Sequence, residues 1–242
     1  MFPCPRVFAL LVSFFSTYSL FFYGSPALAS NFEITPVLLE LSVSRTAGVI
    51  RIVNKDDHPV SLQVRAFEWA QQDNEDQLNS TEALVISPPM FKIDPGAAQV
   101  IRVISRKPAI INAELAYRLL IDEIPEADQN AVNFKFRISM PVFLQPDKAT
   151  SPKINWQIDA GNKQTISVEN LGTRRAKLLN ISIGLPSGRR LSPKAAANPY
   201  ALAGAKRRYE FDYDAELKPG LPVKIYAQAE SGPIEVETTI MP

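Results

Sequence analysis

The sequence predicts an all-β protein: two Ig-like β-sandwiches in tandem behind a cleaved signal peptide. Three observations carry that prediction. Apolar residues recur at every second position in many short runs, and no segment sustains a 3.6-residue period. Turn signals built on Pro, Gly, Asn and Asp separate the runs. Residues 147–152, which end in Pro152, follow Pro146 and have little apolar content, divide the pattern into two series.

The first residues are a leader. Arg6 gives a positive n-region, Val7 to Phe22 is almost continuously apolar, and Ala27-Leu28-Ala29 is a small-residue cleavage site. Residues 1–29 therefore read as a secretory signal peptide cut after Ala29. A retained anchor is the competing reading of so long an apolar run. Gly24, Pro26 and the cleavage site favour removal, and no later stretch is apolar enough to cross a bilayer, so no stable membrane insertion is expected. The one cysteine, Cys4, lies in the leader, which leaves an exported chain with no disulfide, no thiol nucleophile and no Cys-based metal site. Losing Arg6 leaves 25 of 26 Lys+Arg against 25 Asp+Glu. That balance argues against nucleic-acid binding and against a polybasic membrane surface. The remainder is long enough for two small domains that bury cores without staples.

Residues 30–146 form the first series. Phe32 to Val43 is extended, and Pro36 near its start suggests an edge strand. Gly48 to Asn54 is a short β run closed by the turn cluster Asn54 to Pro59. Val60 to Trp69 alternates, with Val60, Leu62, Val64 and Ala66 on one face. Gln71 to Thr81 is polar and reads as a loop. Leu84 to Ile86 and Phe91 to Ile93 flank Pro88-Pro89, Asp94-Pro95-Gly96 is a turn, and Val100 to Ile104 is a strand with Arg102 at its centre. Leu115 to Ile121 is another strand, and Pro125 to Gln129 is a short loop.

That loop feeds the most regular stretch of all, residues 132–145. Its even positions through Leu144 are apolar, and its odd positions as far as Ser139 are polar or charged. This is a strand with one buried face. Beyond the linker, residues 153–242 restart the pattern with Ile154 to Ile158, Gln164 to Asn170, Lys177 to Gly184, Tyr209 to Tyr213, Val223 to Gln228 and Ile234 to Ile240. About seven short strands before the linker and a smaller set after it fit two sandwiches.

No catalytic set stands out, so the chain reads as a non-enzyme with no cofactor and no metal. The one histidine, His58, sits in a turn before Pro59 and reads as solvated. No nucleophile elbow, phosphate loop or metal-ligand spacing occurs. Asp122 and Glu123 are adjacent carboxylates on opposite faces of a strand and cannot flank one bond. Arg174-Arg175 and Lys206-Arg207-Arg208 read as solvated basic surface.

Two longer runs carry a family resemblance. Pro88-Pro89-Met90-Phe91-Lys92-Ile93-Asp94-Pro95-Gly96, continuing to Gln99 and Val100-Ile101-Arg102-Val103, resembles the corresponding run of periplasmic pilus chaperones of the PapD-like type. Glu114 to Pro125, with Tyr117 and the ending Glu123-Ile124-Pro125, resembles a second strand of that family. The resemblance covers most of residues 32–146, and the second half matches in pattern only.

The resemblance implies a chaperone in the periplasm of a Gram-negative bacterium, monomeric when free and binding pilin subunits one to one. It would pass them to an outer-membrane usher. The mode it implies is donor-strand complementation, a form of β-augmentation, in which the chaperone lends a strand to an incomplete pilin sandwich. Residues 132–145 match that donor strand, and Val132, Phe134, Phe136, Ile138 and Met140 are the side chains that would fill the pilin's groove. Better-known members grip the pilin's terminal carboxylate with an arginine and a lysine, whose positions fall near Leu38 and at Pro141 here. Arg118 stands where those members carry tryptophan, and with Ser139-Met140-Pro141-Val142-Phe143 it resembles the archaic branch, which serves spore-coat-like pilins. Arg118 is then the leading carboxylate anchor, with Arg102 and Arg137 behind it. Glu114 matches a glutamate of an interdomain ion pair, but its partner position is Gln145, so that bridge is not expected. The competing functions are a secreted Ig-like adhesin or surface component, and a hydrolase or carbohydrate-binding sandwich; fold alone does not separate them.

Overall fold

The computed structural model describes residues 31–106, 110–124, 136–148, 150–161, 163–195 and 198–241. The leader, residues 1–29, lies outside the described residues. Every regular element described is a strand.

The first sandwich uses β1 (Phe32–Thr35), β2 (Leu39–Ser42), β3 (Ala47–Asn54), β4 (Val60–Gln72), β5 (Glu75–Ser80), β6 (Leu84–Ser87), β7 (Met90–Ile93), β8 (Ala98–Ser105), β9 (Leu115–Ile124) and β10 (Arg137–Gln145). One sheet runs β1-β3-β8-β6, and the other runs β2-β10-β9-β4-β5 with β7 also paired to β4. Alternation decides what each strand buries. Ile50 and Ile52 of β3, Leu62 and Val64 of β4, Ile101 and Val103 of β8, and Leu119 and Ile121 of β9 all meet in one core. Fully burying such a side chain stabilises by roughly 1.5–3 kcal/mol.

Two expectations change here. Phe32 to Val43 is not one strand: the chain crosses from one sheet to the other at Pro36, so β1 and β2 are edges of opposite sheets. Gln71 to Thr81 is not a loop but a hairpin, in which β4 continues to Gln72 and pairs with β5. Asp73 and Asn74 form its two-residue turn, both with positive φ (52° and 69°), a conformation these side chains tolerate. All six residues of β5 are exposed, so no apolar alternation marks it.

The second sandwich uses β11 (Ile154–Asp159), β12 (Thr165–Asn170), β13 (Ala176–Gly184), β14 (Arg190–Leu191), β15 (Tyr200–Ala201), β16 (Lys206–Glu210), β17 (Pro222–Ala229) and β18 (Gly232–Thr239). Its sheets are β11-β12-β16 and β14-β13-β17-β18, with β15 on β13. The strand expected over Tyr209 to Tyr213 lies earlier, at β16, where Arg207 and Tyr209 point inward. Ile158, Ile166, Val168, Ile183 and Ile225 anchor a separate core.

The segment between the sandwiches is fixed by backbone. Thr173 N–H donates to the Ser151 carbonyl at 3.0 Å and Leu171 N–H to the Lys153 carbonyl at 2.8 Å. Gly172 lies between them, and a β-carbon there would fall 2.3 Å from Ser151 O and 2.4 Å from Lys153 N. Both obstacles are backbone and cannot swing aside. Gly172→Ala should therefore destabilise the chain by about 1–3 kcal/mol, read as a lowered midpoint in denaturant titration.

Candidate functional site

The site begins with an uncovered strand edge. One side of β10 pairs antiparallel with β9, from Arg137↔Asp122 to Leu144↔Leu115. The other side pairs parallel with β2, but only where Val142 to Gln145 meet Leu39 to Ser42. Among the described residues, Arg137 to Pro141 have no strand on that side. Such an edge presents unpaired N–H and C=O groups and is a template for another strand. Pro141 ends the open stretch and contributes no N–H.

The apolar row on β10 divides along its length. Val132 and Phe134 lie outside the described residues. Phe136 and Ile138 are half-buried at the rim of the first core, with the Phe136 ring 4.6 Å from that of Phe32. Met140 corrects the expectation of a continuous free row: at 2% exposed it belongs to the chain's own core with Val142 and Leu144. The opposing sheet already lies over this face of β10 from Met140 onward.

The opposite face of the same sheet meets the second sandwich. Trp69, Phe143, Tyr200, Leu202 and Ala205 form a third apolar cluster, with Leu38 and Ala116 packed against it. The rings of Trp69 and Tyr200 meet edge-on at 5.8 Å and 86°, and Phe143 lies 5.5 Å from Tyr200. Arg175 closes the junction. Its guanidinium sits 3.8 Å over the Phe143 ring and pairs with Glu114 at 2.5 Å and Glu40 at 2.6 Å. Arg174 adds a bond to Glu40 at 3.2 Å.

This corrects two readings. Arg175 and Arg207 are not solvated surface; they are 3% and 7% exposed. Glu114 does form a bridge between the sandwiches, with an arginine from the second one in place of a partner at Gln145. Arg207 reaches Asp76 of the β4–β5 hairpin at 3.3 Å, and Asn198 donates to the same carboxylate at 2.7 Å. The second sandwich thus grips the first at two places.

Burial dominates at Glu114 and pushes its carboxyl above the usual range despite Arg175. At Asp76 burial pushes the same way, but hydrogen bonds from Asn198 and Gln71 prevail and hold it below the ordinary 3.8.

The three arginines sit in different settings. Arg102 is exposed on β8, in the sheet that does not contain β10. Arg137 is committed to Asp122, which Arg65 also binds at 2.7 Å. Burial opposes ionisation of Asp122, yet these two arginines hold its pKa down. Arg118 has no ion-pair partner among the described residues. Its guanidinium lies 3.8 Å over the Trp69 ring and reaches only the Ser139 carbonyl, at 3.5 Å. Burial lowers its pKa, against the pull of Asp76. Arg118 pairs across the sheet with Pro141, and Leu38 stands one residue before the Leu39↔Val142 pair. Leu38, Pro141 and Arg118 therefore share one cross-strand row. No group of metal-binding side chains and no helix able to span a membrane occurs among the described residues.

Residues 31–150 match the family model described as the pili and flagellar-assembly chaperone, PapD N-terminal domain. By its first domain, the chain belongs to the PapD-like pilus chaperones. Solved structures share the whole two-sandwich architecture. The CsuC–CsuE chaperone–tip adhesion subunit pre-assembly complex from archaic chaperone-usher Csu pili of Acinetobacter baumannii matches at TM-score 0.66 and 22% identity, over 87% of this chain and 98% of that one. The Pseudomonas aeruginosa CupB2 chaperone matches at TM-score 0.59 and 15% identity, over 86% and 100%. The Salmonella enterica SafA pilin in complex with the SafB chaperone matches at TM-score 0.62 and 13% identity, over 87% and 97%. Comparison with curated proteins gives no match.

In this PapD-like chain the junction between sandwiches generates two predictions. Arg175→Ala leaves Glu114 buried with only the more distant Arg174, at 3.9 Å, as a cation, and should cost about 3–5 kcal/mol in denaturant unfolding. Asp76 has a depressed folded pKa, so its contribution is present above 3.8 and is lost as pH falls through the lower folded value. Unfolding followed from pH 6 to pH ~2 should show a smaller acid-induced loss in Asp76→Asn than in the parent.

Proposed function

We propose that this chain is a periplasmic chaperone that binds pilus subunits by donor-strand complementation and delivers them to an outer-membrane usher. The carrying observation is the half-covered edge of β10, open from Arg137 to Pro141 beside a row of large apolar side chains. A subunit sandwich lacking one strand exposes an apolar groove and two bare edges, both prone to aggregation. An extended edge strand remedies both faults, because its backbone supplies hydrogen bonds and alternate side chains enter the groove. Phe136 and Ile138, with Val132 and Phe134 before them in sequence, are the side chains assigned to that groove; Met140 is committed to the chaperone's own core.

Export follows from residues 1–29 as a cleaved leader, which sets the site of action in the periplasm of a Gram-negative bacterium. The free chaperone is monomeric and binds one subunit. Membership of the archaic branch is favoured by Arg118 and the Ser139-to-Phe143 run, and the likeness to the A. baumannii complex agrees with it. Arg118 is the anchor for the subunit's C-terminal carboxylate, being a partly buried cation on the row of Leu38 and Pro141 with no carboxylate partner among the described residues. Arg102, on the far sheet, and Arg137, held by Asp122, are set aside.

Tagged chaperone purified from periplasm should carry a small secreted subunit with it. Phe134→Ser combined with Phe136→Ser should abolish that co-purification while the chain remains folded by circular dichroism, since Phe136 sits at the rim of the core beside Phe32. Unfolding or degradation of the double variant would assign these rings to the chaperone's own core instead. Arg118→Ala should weaken capture by roughly 2–5 kcal/mol, mainly through faster dissociation, and Arg118→Lys should restore part of it. Full recovery of subunit by folded Arg118→Ala would remove Arg118 as the anchor.

A further inference from the structure

A carboxylate has two oxygens, and one guanidinium stacked on an indole does not enclose it. Tyr200, on β15 of the second sandwich, stands beside Arg118. Both touch the same side chain: the Arg118 guanidinium lies 3.8 Å over the Trp69 ring, and the Tyr200 ring meets Trp69 edge-on at 5.8 Å. Tyr200 is 8% exposed, and its main chain is clamped from both sandwiches. Its carbonyl accepts from Gln71 Nε2 at 3.0 Å, its N–H donates to Asn198 Oδ1 at 3.0 Å, and Leu202 N–H donates to Gln71 Oε1 at 2.9 Å. Its hydroxyl, by contrast, makes no hydrogen bond among the described residues.

We propose that the Tyr200 hydroxyl donates a hydrogen bond to the same terminal carboxylate that Arg118 holds, so that the anchor is built from both sandwiches. The inference rests on the reading of Arg118 given above and adds a second donor to it.

The surroundings suit a donor rather than a base. Burial pushes the phenol's pKa up, and the positive charges of Arg175 and Arg118 act against that push. The hydroxyl therefore keeps its proton near neutral pH while lying in the field of two guanidiniums. The charge of Arg175 is already met by Glu114 and Glu40, although its buried Nε has no hydrogen-bond partner among the described residues. The charge of Arg118 is not, so an arriving carboxylate meets an uncompensated cation and an unused O–H together. A hydrogen bond to a charged acceptor is stronger than a neutral one, and no proton changes hands in forming it. A further consequence is that a grip shared between β9 and β15 holds only while the sandwiches keep their mutual angle, which the Arg175 and Arg207 contacts set.

The test uses the full-length chaperone and the subunit that co-purifies with it, prepared once with its natural C-terminal carboxylate and once as the C-terminal carboxamide. Tyr200→Phe keeps the ring and its packing. It should bind the carboxylate form about tenfold or more weakly than the parent chain and the carboxamide form equally well. Melting of the free variant checks that the junction is intact. Equal binding of the carboxylate form by Tyr200→Phe and the parent, while Arg118→Ala is weakened, would overturn the role of Tyr200 and leave Arg118 as sole anchor. The same loss for both forms of the subunit would also overturn it, since that is packing and not recognition of the carboxylate. If the parent chaperone itself binds both forms equally, the carboxylate anchor is wrong, and the present proposal falls with it.

Discussion

A guanidinium held flat on a phenyl ring between two carboxylates joins the halves of this molecule. Arg175 comes from the second sandwich, and Phe143, Glu114 and Glu40 come from the first. Desolvating a charge is costly, and a buried arginine is stable only if its donors are met. The arrangement supplies two carboxylates with unequal tendencies. Burial raises the pKa of Glu114, whereas Glu40, less buried, is held low by its bonds to Arg175 and Arg174 against the effect of burial. One negative partner is therefore secured even when the other takes up a proton. The aromatic face below completes the enclosure, so charge and packing meet in the same contact, and only the buried Nε lacks a hydrogen-bond partner among the described residues.

That contact fixes how one sheet is used three ways. The inner face of β2-β10-β9-β4-β5 builds the core of the first sandwich. Its outer face, through Trp69 and Phe143, receives the second sandwich. Its backbone edge along Arg137 to Pro141 is left uncovered among the described residues. Period-two alternation makes this division possible, since neighbours along a strand serve opposite faces without competing for space. Met140 and Phe143 illustrate it: both are buried, three residues apart, in different clusters.

The same division explains what was legible in the sequence. Strands whose partner face is the local core announce themselves by alternation, as Ile50/Ile52, Leu62/Val64 and Leu119/Ile121 do. Trp69 and Phe143 sit at positions that alternation assigns to solvent, and only the second sandwich, more than fifty residues later, gives them a reason to be apolar. Arg175 and Arg207 were hidden for the converse reason. Arginine in a basic cluster reads as surface, and its burial depends on Glu114, Glu40 and Asp76, which lie far away in the chain. The β5 hairpin is not legible in the sequence because a strand with both faces wet carries no apolar pattern. The sequence singles out Arg118 by the face it occupies and by the family resemblance, but its contact with Trp69, and that of Tyr200 with the same ring, depend on the fold.

The cover supplied by β2 also sets the direction in which a guest strand fits. β2 pairs with the last four residues of β10 in parallel, starting at Leu39. A strand laid along Arg137 to Pro141 occupies the same lane and must stop where β2 begins, at Leu38. Its end then lies on the row of Leu38, Pro141 and Arg118. A guest running antiparallel to β10 would bring its amino terminus to that row, where a positive group would face the guanidinium of Arg118. A guest running parallel brings a carboxylate there instead. Two unit charges about 4 Å apart near a protein surface interact by roughly 4 kcal/mol, attractive in one orientation and repulsive in the other. The open edge alone accepts either polarity, so under the proposed anchor role of Arg118 the cation at its closed end would select a chain that finishes in this cleft.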